Sequence, residues 1–254
     1  MTEADATRVD MHVKTLDERV VRRAKRRGLD VLVYAPHFVR LPEIRATAAR
    51  FSDDELLVVP AREVFTGSWR NRRHLLAVGL TDPVPDFITL DGALREFGRQ
   101  DAAVVVPHPE LMNVSMGHED VAKNRTVIDA VETYNAKCRP YQNRRGQRIA
   151  AALDVPNFGS SYAHLRGTVG EAWTQFDTVV DDESDLVDAL RDGISRRVLH
   201  RPGLSHRVRS LVEFSHLGFE NSWGKFDRLL LSGMEPTHPR QVAYDGRFDD
   251  VSVY

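Results

Sequence analysis

The sequence is poor in several things, and each shortage excludes something. It holds one cysteine, Cys138, in 254 residues, which rules out an internal disulfide framework and suits a reducing compartment. It has no apolar run near the roughly 20 residues that span a bilayer. The first ten residues, MTEADATRVD, are polar and acidic, without the apolar stretch of a signal peptide. We therefore expect a cytoplasmic protein with no membrane partner. Neither sign of charge dominates: 35 Lys+Arg against 37 Asp+Glu leave a formal net charge of −2, so there is no overall pull toward nucleic acid or acidic lipid. No internal repeat or low-complexity tract is visible.

What is present reads as an ordinary globular chain, 42% hydrophobic and 28% charged. Its length suits one large α/β barrel-type domain or two small ones, and it can bury a sizeable core without staples. Short β-branched runs alternate with helical stretches, which implies βαβ units and a mostly parallel sheet or barrel. Strands are expected over 8–13, 30–35, 56–63, 74–80, 102–109, 130–135, 157–164 and 173–180. Helices are expected over 16–27, 42–50, 89–99, 140–153 and 183–192, with a short one near Glu119. The segment FTGSWRNRR, 65–73, is too short for a parallel crossover, which needs a dozen residues or more. Strands 56–63 and 74–80 should therefore form an antiparallel hairpin, bringing Glu63 and His74 to one end of the sheet. We divide the chain into a barrel over 8–203 and an extension over 204–254. The extension's first part reads as one or two amphipathic helices and its end as an aromatic loop, packed on the barrel and offering a surface for a homodimer.

Of the ten histidines, five fall at strand ends together with one glutamate: His12, His37, Glu63, His74, His108 and His164. One histidine at a strand end is usually only a hydrogen-bonded residue. Six such positions differ, because in β/α folds the carboxyl ends of the strands form the functional face, where residues distant in sequence converge. Imidazoles with a carboxylate suit zinc, iron or manganese, whereas magnesium and calcium favour an oxygen cage. His118, His200, His206, His216 and His238 read as surface or structural residues in helices or loops.

These positions lie in segments that resemble the motifs of the PHP family (polymerase and histidinol phosphatase). VDMHVKT is similar to its first motif, D-x-H-x-H-[ST]. GLDVLVYAPHF resembles the second, which ends in T-D-H. VVPAREVFTGSWRNRRHLLAVGL resembles the third, VVVPHP the fourth, DAVETYN the segment after it, and FGSSYAHLRGTVG the closing G-S-D-A-H segment. The motifs keep the family's order over roughly residues 8–180, and order across several motifs is far more specific than any one of them. The resemblance implies a distorted (β/α)7 barrel of the PHP type with a C-terminal helical extension. It also implies a site for up to three metals. His12 and Glu63 would serve the first; Glu63 would bridge to a second, completed by His74 and His108; His37 and His164 would serve a third.

The sequence departs from the family pattern at three places. Lys14 stands where the second histidine of the first motif belongs, Pro36 replaces the aspartate before His37, and Tyr162 replaces the aspartate two residues before His164. Two of the changes fall on the same metal. We therefore expect one or two divalent ions rather than three, with the Lys14 ammonium in the place of the first, paired with Glu63 and facing the phosphate. Tyr162 would add a hydrogen-bond donor or a weak ligand. Glu63, Lys14 and Tyr162 are the candidate catalytic residues, and Arg70, Arg72 and Arg73, in the turn before His74, the candidate phosphate-binding ones. Arg62 should point to the opposite face from Glu63. Arg139, Arg144, Arg145 and Arg148 read as a solvated helix face, and Cys138 as an inert thiol.

The expected activity is hydrolysis of a phosphate ester by metal-activated water. The substrate would be a small phosphomonoester, a nucleotide or an oligonucleotide, although the net charge gives a nucleic-acid partner no support. The alternative is a catalytically silent PHP-like domain with a metal- or ligand-binding regulatory role. An amidohydrolase on a similar barrel would show a close H-x-H pair, which Lys14 breaks.

Overall fold

The computed structural model describes residues 6–68, 71–111, 114–209, 211–212, 214–216 and 235–253. Its strands form one sheet. The β-branched run VLVY makes β2 (Val31–Tyr34), which lies parallel between β1 (Thr7–Val13) and β3 (Leu57–Thr66). β4 (Arg73–Val78) folds back antiparallel on β3, pairing Phe65 with His74, as the short turn requires. Gly67 makes that turn possible: its φ is +74°, and a Cβ there would collide with the Asn71 carbonyl. β5 (Ala103–Val106) is antiparallel to β4 and is followed in parallel by β6 (Ala130–Asn135) and β7 (Asn157–Ser160). On the other side of β1, β8 (Ala172–Phe176) runs antiparallel, and β9 (Arg196–His200) antiparallel to β8.

The sheet order is thus β7-β6-β5-β4-β3-β2-β1-β8-β9. Because only β4 and β8 run backwards, the other seven of the nine strands share one direction. The ends of the sheet meet: Val13 bridges Ala163, the Lys14 amide donates to the Ala163 carbonyl at 2.9 Å, and the Gly159 amide donates to Thr174 Oγ1 at 2.9 Å. The result is a nearly closed barrel. Its β1–β2 register slips between Asp10 and Val13, beside His12, the kind of irregularity that re-aims a side chain.

The helices form where local chemistry allows. Asp17 caps α1 (Glu18–Arg26), accepting from the Arg19 and Val20 amides, and Gly28, at φ +69°, follows its end. Pro42 lies in the first turn of α2 (Leu41–Phe51) and Pro140 in that of α5 (Pro140–Leu153). Thr89 caps α3 (Leu90–Arg99), α4 (His118–Lys123) is short, and Asp182 caps α6 (Glu183–Arg191). Inside the barrel Val9, Met11, Val33, Val59, Leu76 and Val105 pack with Phe158, Phe176 and, from α6, Leu186 and Leu190. Outside, α1 and α2 cover Leu32 and Val58. From the chain's end, Tyr244 and Phe248 join Val64, Leu75, Ile88 and Phe97, and the Thr89 amide donates to the Val251 carbonyl at 2.8 Å. Residues 204–209, 211–212 and 214–216 are helical; the rest of the expected amphipathic stretch lies outside the described residues. No described helix is long and apolar enough to cross a membrane.

Four expectations need correction. The strand expected over 102–109 ends at Val106, and His108 sits in a turn at φ +32°. The strand expected over 157–164 ends at Ser160, with Tyr162 at φ +47°. The expected parallel succession is broken at β8, which follows β7 without a crossover helix and so returns antiparallel. And His200, expected in a helix or loop, ends strand β9. RRVLH carries too much charge to read as a strand, and it forms one because its partner β8 offers an open edge.

Candidate metal centre

The carboxylate of Glu63 is the middle of the site. It is fully buried, and its two oxygens divide the surrounding donors. Oε1 lies 3.2 Å from His74 Nδ1 and 2.9 Å from His108 Nε2. Oε2 meets the Lys14 ammonium, lies 2.9 Å from His37 Nε2, and has His12 Nε2 at 3.5 Å. A second bond of 2.5 Å, to the Ala35 carbonyl, fixes Lys14. The hairpin explains half of this set. Glu63 faces into the barrel from β3, and the Phe65–His74 pair brings His74 back beside it. Arg62, one residue away, turns to the other side and pairs with Asp86 at 3.0 Å.

Two further side chains complete the ring of groups. Tyr162 is buried, its ring centroid 4.6 Å from that of His12, 4.9 Å from His108 and 4.9 Å from His164. His164 meets His37 edge-on at 5.2 Å. All five sequence-predicted histidines, with Glu63, Lys14 and Tyr162, thus come together at one end of the barrel. The turn arginines do not join them as a set. Arg73 Nε is bonded to Asp120 at 2.5 Å, Arg72 is buried with its guanidinium 5.2 Å from the Phe87 ring centroid, and Arg70 lies outside the described residues.

The electrostatics favour a cation. Burial pushes the Glu63 carboxyl up, yet the Lys14 charge and the His12 and His108 rings outweigh it and hold the group well below the usual carboxylate range. Burial pulls the Lys14 ammonium down to about 8, against the raising effect of Glu63. Burial first, and Lys14 second, keep His12 and His37 well below the usual histidine value; burial, helped by His108 and Lys14 and opposed by Glu63, takes His74 down to about 4. Neutral imidazoles around an ionised carboxylate are the protonation state that metal ligation needs. Donor atoms of Glu63, His74 and His108 lie within 4.8 Å of one another. Among the described residues neither ring nitrogen of fully buried His12 has a hydrogen-bond partner, a cost that a cation on one of them would reduce. The residues therefore fit a divalent metal.

Two positioning acids escaped the sequence reading. Glu132, buried on β6, accepts from the His108 amide at 2.6 Å, from Asn135 Nδ2 at 3.0 Å and from Ser160 Oγ at 2.5 Å. It holds the turn of His108, while Ser115 Oγ at 2.8 Å from Nδ1 orients the ring. Asp10 accepts from the Ser161 amide at 2.9 Å and the Gly170 amide at 3.0 Å, fixing the loop that carries Tyr162 and His164. Burial lifts Asp10 to about 6 and raises Glu132. The signal was available: an acid inside a strand between apolar runs, as in AVETYN, must have bonded partners once buried.

Comparison with known proteins agrees with the fold. A family model described as PHP-associated matches residues 140–194, from α5 through α6. An uncharacterized protein of Methanocaldococcus jannaschii, MJ0417, is 26% identical over 133 residues, which span 50% of this chain and 54% of that protein. PsfC from Pseudomonas syringae PB-5123 superposes with a TM-score of 0.61 at 19% identity, over 84% of this chain and 99% of that one. The lesion-specific endonuclease of Pyrococcus furiosus gives 0.55 at 13% identity, over 76% of this chain and 57% of that one. A proposed metal-dependent phosphoesterase of Bifidobacterium adolescentis gives 0.50 at 14% identity, over 72% and 96%. At such identities these likenesses show the fold.

Proposed function

We propose that this chain is a member of the PHP family, whose PHP-associated model matches residues 140–194 and whose type of barrel it shares, and that it is a metal-dependent phosphoester hydrolase. The observation that carries the reading is the buried Glu63 carboxylate, shared between His74 and His108 on one oxygen and His12, His37 and Lys14 on the other. Names among the structural neighbours, a phosphoesterase and an endonuclease, support the same chemistry. Glu63, His74 and His108 would hold one zinc, manganese or iron ion, and His37 with His164 a second. An ion there supplies a Lewis acid for the phosphoryl oxygen and a water acidic enough to ionise near neutral pH.

The chain's own groups do the rest. Lys14 places a fixed positive charge against Glu63 where the family pattern has a histidine, and it neutralises part of the phosphate without a further ion. Tyr162 closes the site over His12 and His108. A small phosphomonoester, a nucleotide or an oligonucleotide end would be the substrate, and a cytoplasmic location fits the single cysteine.

The purified protein should carry one or two divalent ions per chain and hydrolyse a generic phosphate ester with added manganese or zinc. His108→Ala should lower metal content by at least one ion per chain and abolish turnover. Wild-type protein without bound metal or activity under any added ion would instead support the silent, ligand-binding domain. Lys14→Ala should keep its metal but lose roughly tenfold or more in turnover, as expected when one fixed charge facing the phosphoryl group is removed. Lys14→His should raise the metal content. Unchanged turnover in Lys14→Ala would refute the role of the lysine.

A further inference from the structure

A cavity of about 930 Å³ lies beside the metal centre, between the start of α5, the end of β9 and the helical residues that follow 203. Its volume is within the roughly 300–1,000 Å³ range of small-molecule sites. It opens at the same end of the barrel as the cluster, because β6 and β9 run in the direction of β1 and both reach it by their carboxyl ends. Lys137 lines it, and the Lys137 ammonium stands 4.3 Å from the ring centroid of Tyr162, which packs on His12 and His108.

Two properties define what could fill it. The first is charge. Arg139, Arg144, Arg201 and Arg207 line the cavity with Lys137, and among the described residues that line it none is acidic. Among the described residues no carboxylate pairs with Arg139, Arg144 or Arg207. The sequence placed Arg139, Arg144, Arg145 and Arg148 on one solvated face. The structure separates them: Arg145 lies 3.6 Å from Glu110, while Arg139 and Arg144 turn to the cavity. The second property is a flat wall. The Tyr134 and His200 rings are stacked with centroids 4.2 Å apart and planes 1° from parallel. A relay fixes that wall: Tyr134 Oη lies 2.9 Å from His206 Nε2, and His206 Nδ1 lies 3.0 Å from Glu171 Oε2. Glu171 is in turn held by Arg23, Arg27 and Arg209 at 2.8–3.1 Å. His200 is itself solvent-exposed, which leaves ring surface for a further planar group to stack upon.

We propose that this cavity binds a nucleotide unit, its base stacked on the His200–Tyr134 wall and its phosphate held by the arginines. Guanidinium groups match phosphate in bidentate geometry, and stacking of a base on such a ring accepts any base. As a statement about substrate class it rests on the hydrolase reading above; as a statement about binding it does not. The unit comes either as a free mononucleotide or as the end of a single strand.

The test is calorimetric titration of the full chain in the presence of a chelator, so that no hydrolysis occurs. The probes are AMP, ribose 5-phosphate, inorganic phosphate and a short oligothymidylate. AMP or the oligonucleotide should bind at least tenfold more tightly than ribose 5-phosphate. His200→Ala should remove that difference, and Arg144→Ala with Arg207→Ala should weaken all phosphorylated probes. The three residues are exposed, and circular dichroism checks that the variants fold. Tighter binding of AMP identifies a free nucleotide as the source; tighter binding of the oligonucleotide identifies a strand. Equal binding of AMP and inorganic phosphate, or AMP binding unaffected by His200→Ala, overturns the proposal. Nucleotide binding without turnover in the metal-loaded protein would overturn the hydrolase and leave this site standing. Turnover of a generic ester without nucleotide binding would do the reverse.

Discussion

Glu63→Gln should empty the metal centre and reduce phosphate-ester turnover by more than about 100-fold. Loss of a group that merely supports a ligand already costs roughly 10–100-fold, and Glu63 stands between four of the candidate ligands, His12, His37, His74 and His108. Glutamine keeps the shape of the side chain and one oxygen, so the change isolates the charge. It also exposes what Glu63 does for the fold. Lys14 is almost wholly buried and pairs with this carboxylate. Removing one member of a buried pair typically costs about 3–5 kcal/mol, because the other charge is left without compensation. Here the cost should fall near the lower end, about 3 kcal/mol, since burial has already brought the ammonium down to about 8 and it can release its proton.

The double variant Lys14→Met/Glu63→Gln separates the two effects. With no buried charge left, urea unfolding of the chelated protein should return most of the lost stability, while metal content and turnover stay absent. A single Glu63→Gln variant that keeps its ions and its activity would show that the chemistry is centred elsewhere.

Much of this site was legible before any coordinates, and the reason is topological. Strand ends in a β/α fold converge, so histidines at successive strand ends meet whatever lies between them. The hairpin was legible because 65–73 is too short to cross over, and it places His74 beside Glu63. What was not legible depends on contacts distant in sequence. Nothing in the residue types of His108 or Tyr162 announces a positive φ; Glu132, from another strand, holds the first turn, and Asp10 fixes the amide beside the second. Arg73 looks like a phosphate ligand in the sequence because it precedes His74, and only the fold brings Asp120 to it. The cavity beside the cluster could not be anticipated either, since β9 was not recognised and its His200 meets a tyrosine 66 residues earlier, as their numbers show.

The second large effect is expected away from the metals, at the buried pair behind the site. Asp86 Oδ2 accepts from Arg62 Nη2 at 3.0 Å and Oδ1 from the Phe65 amide at 2.8 Å, and neither charged side chain is exposed. Among the described residues Arg62 has one other bond, Nη1 to the Val39 carbonyl at 3.0 Å, and its Nε has no partner. Asp86→Ala therefore strands a guanidinium which, unlike Lys14, cannot lose its proton to escape the penalty. The loss should lie at the upper end of the range for broken buried pairs, about 5 kcal/mol, read as a shift of the urea midpoint. Because the same change frees the amide of Phe65, whose ring stacks on His74 at 4.0 Å, metal affinity should weaken as well. Arg62→Met/Asp86→Leu should recover most of the stability, since well-packed apolar residues often replace a buried ion pair at little cost. It should not recover the metal affinity, because the Phe65 amide still lacks its acceptor. An Asp86→Ala protein within about 1 kcal/mol of the wild type would mean that water reaches Arg62 and that the pair is not sealed as its geometry indicates.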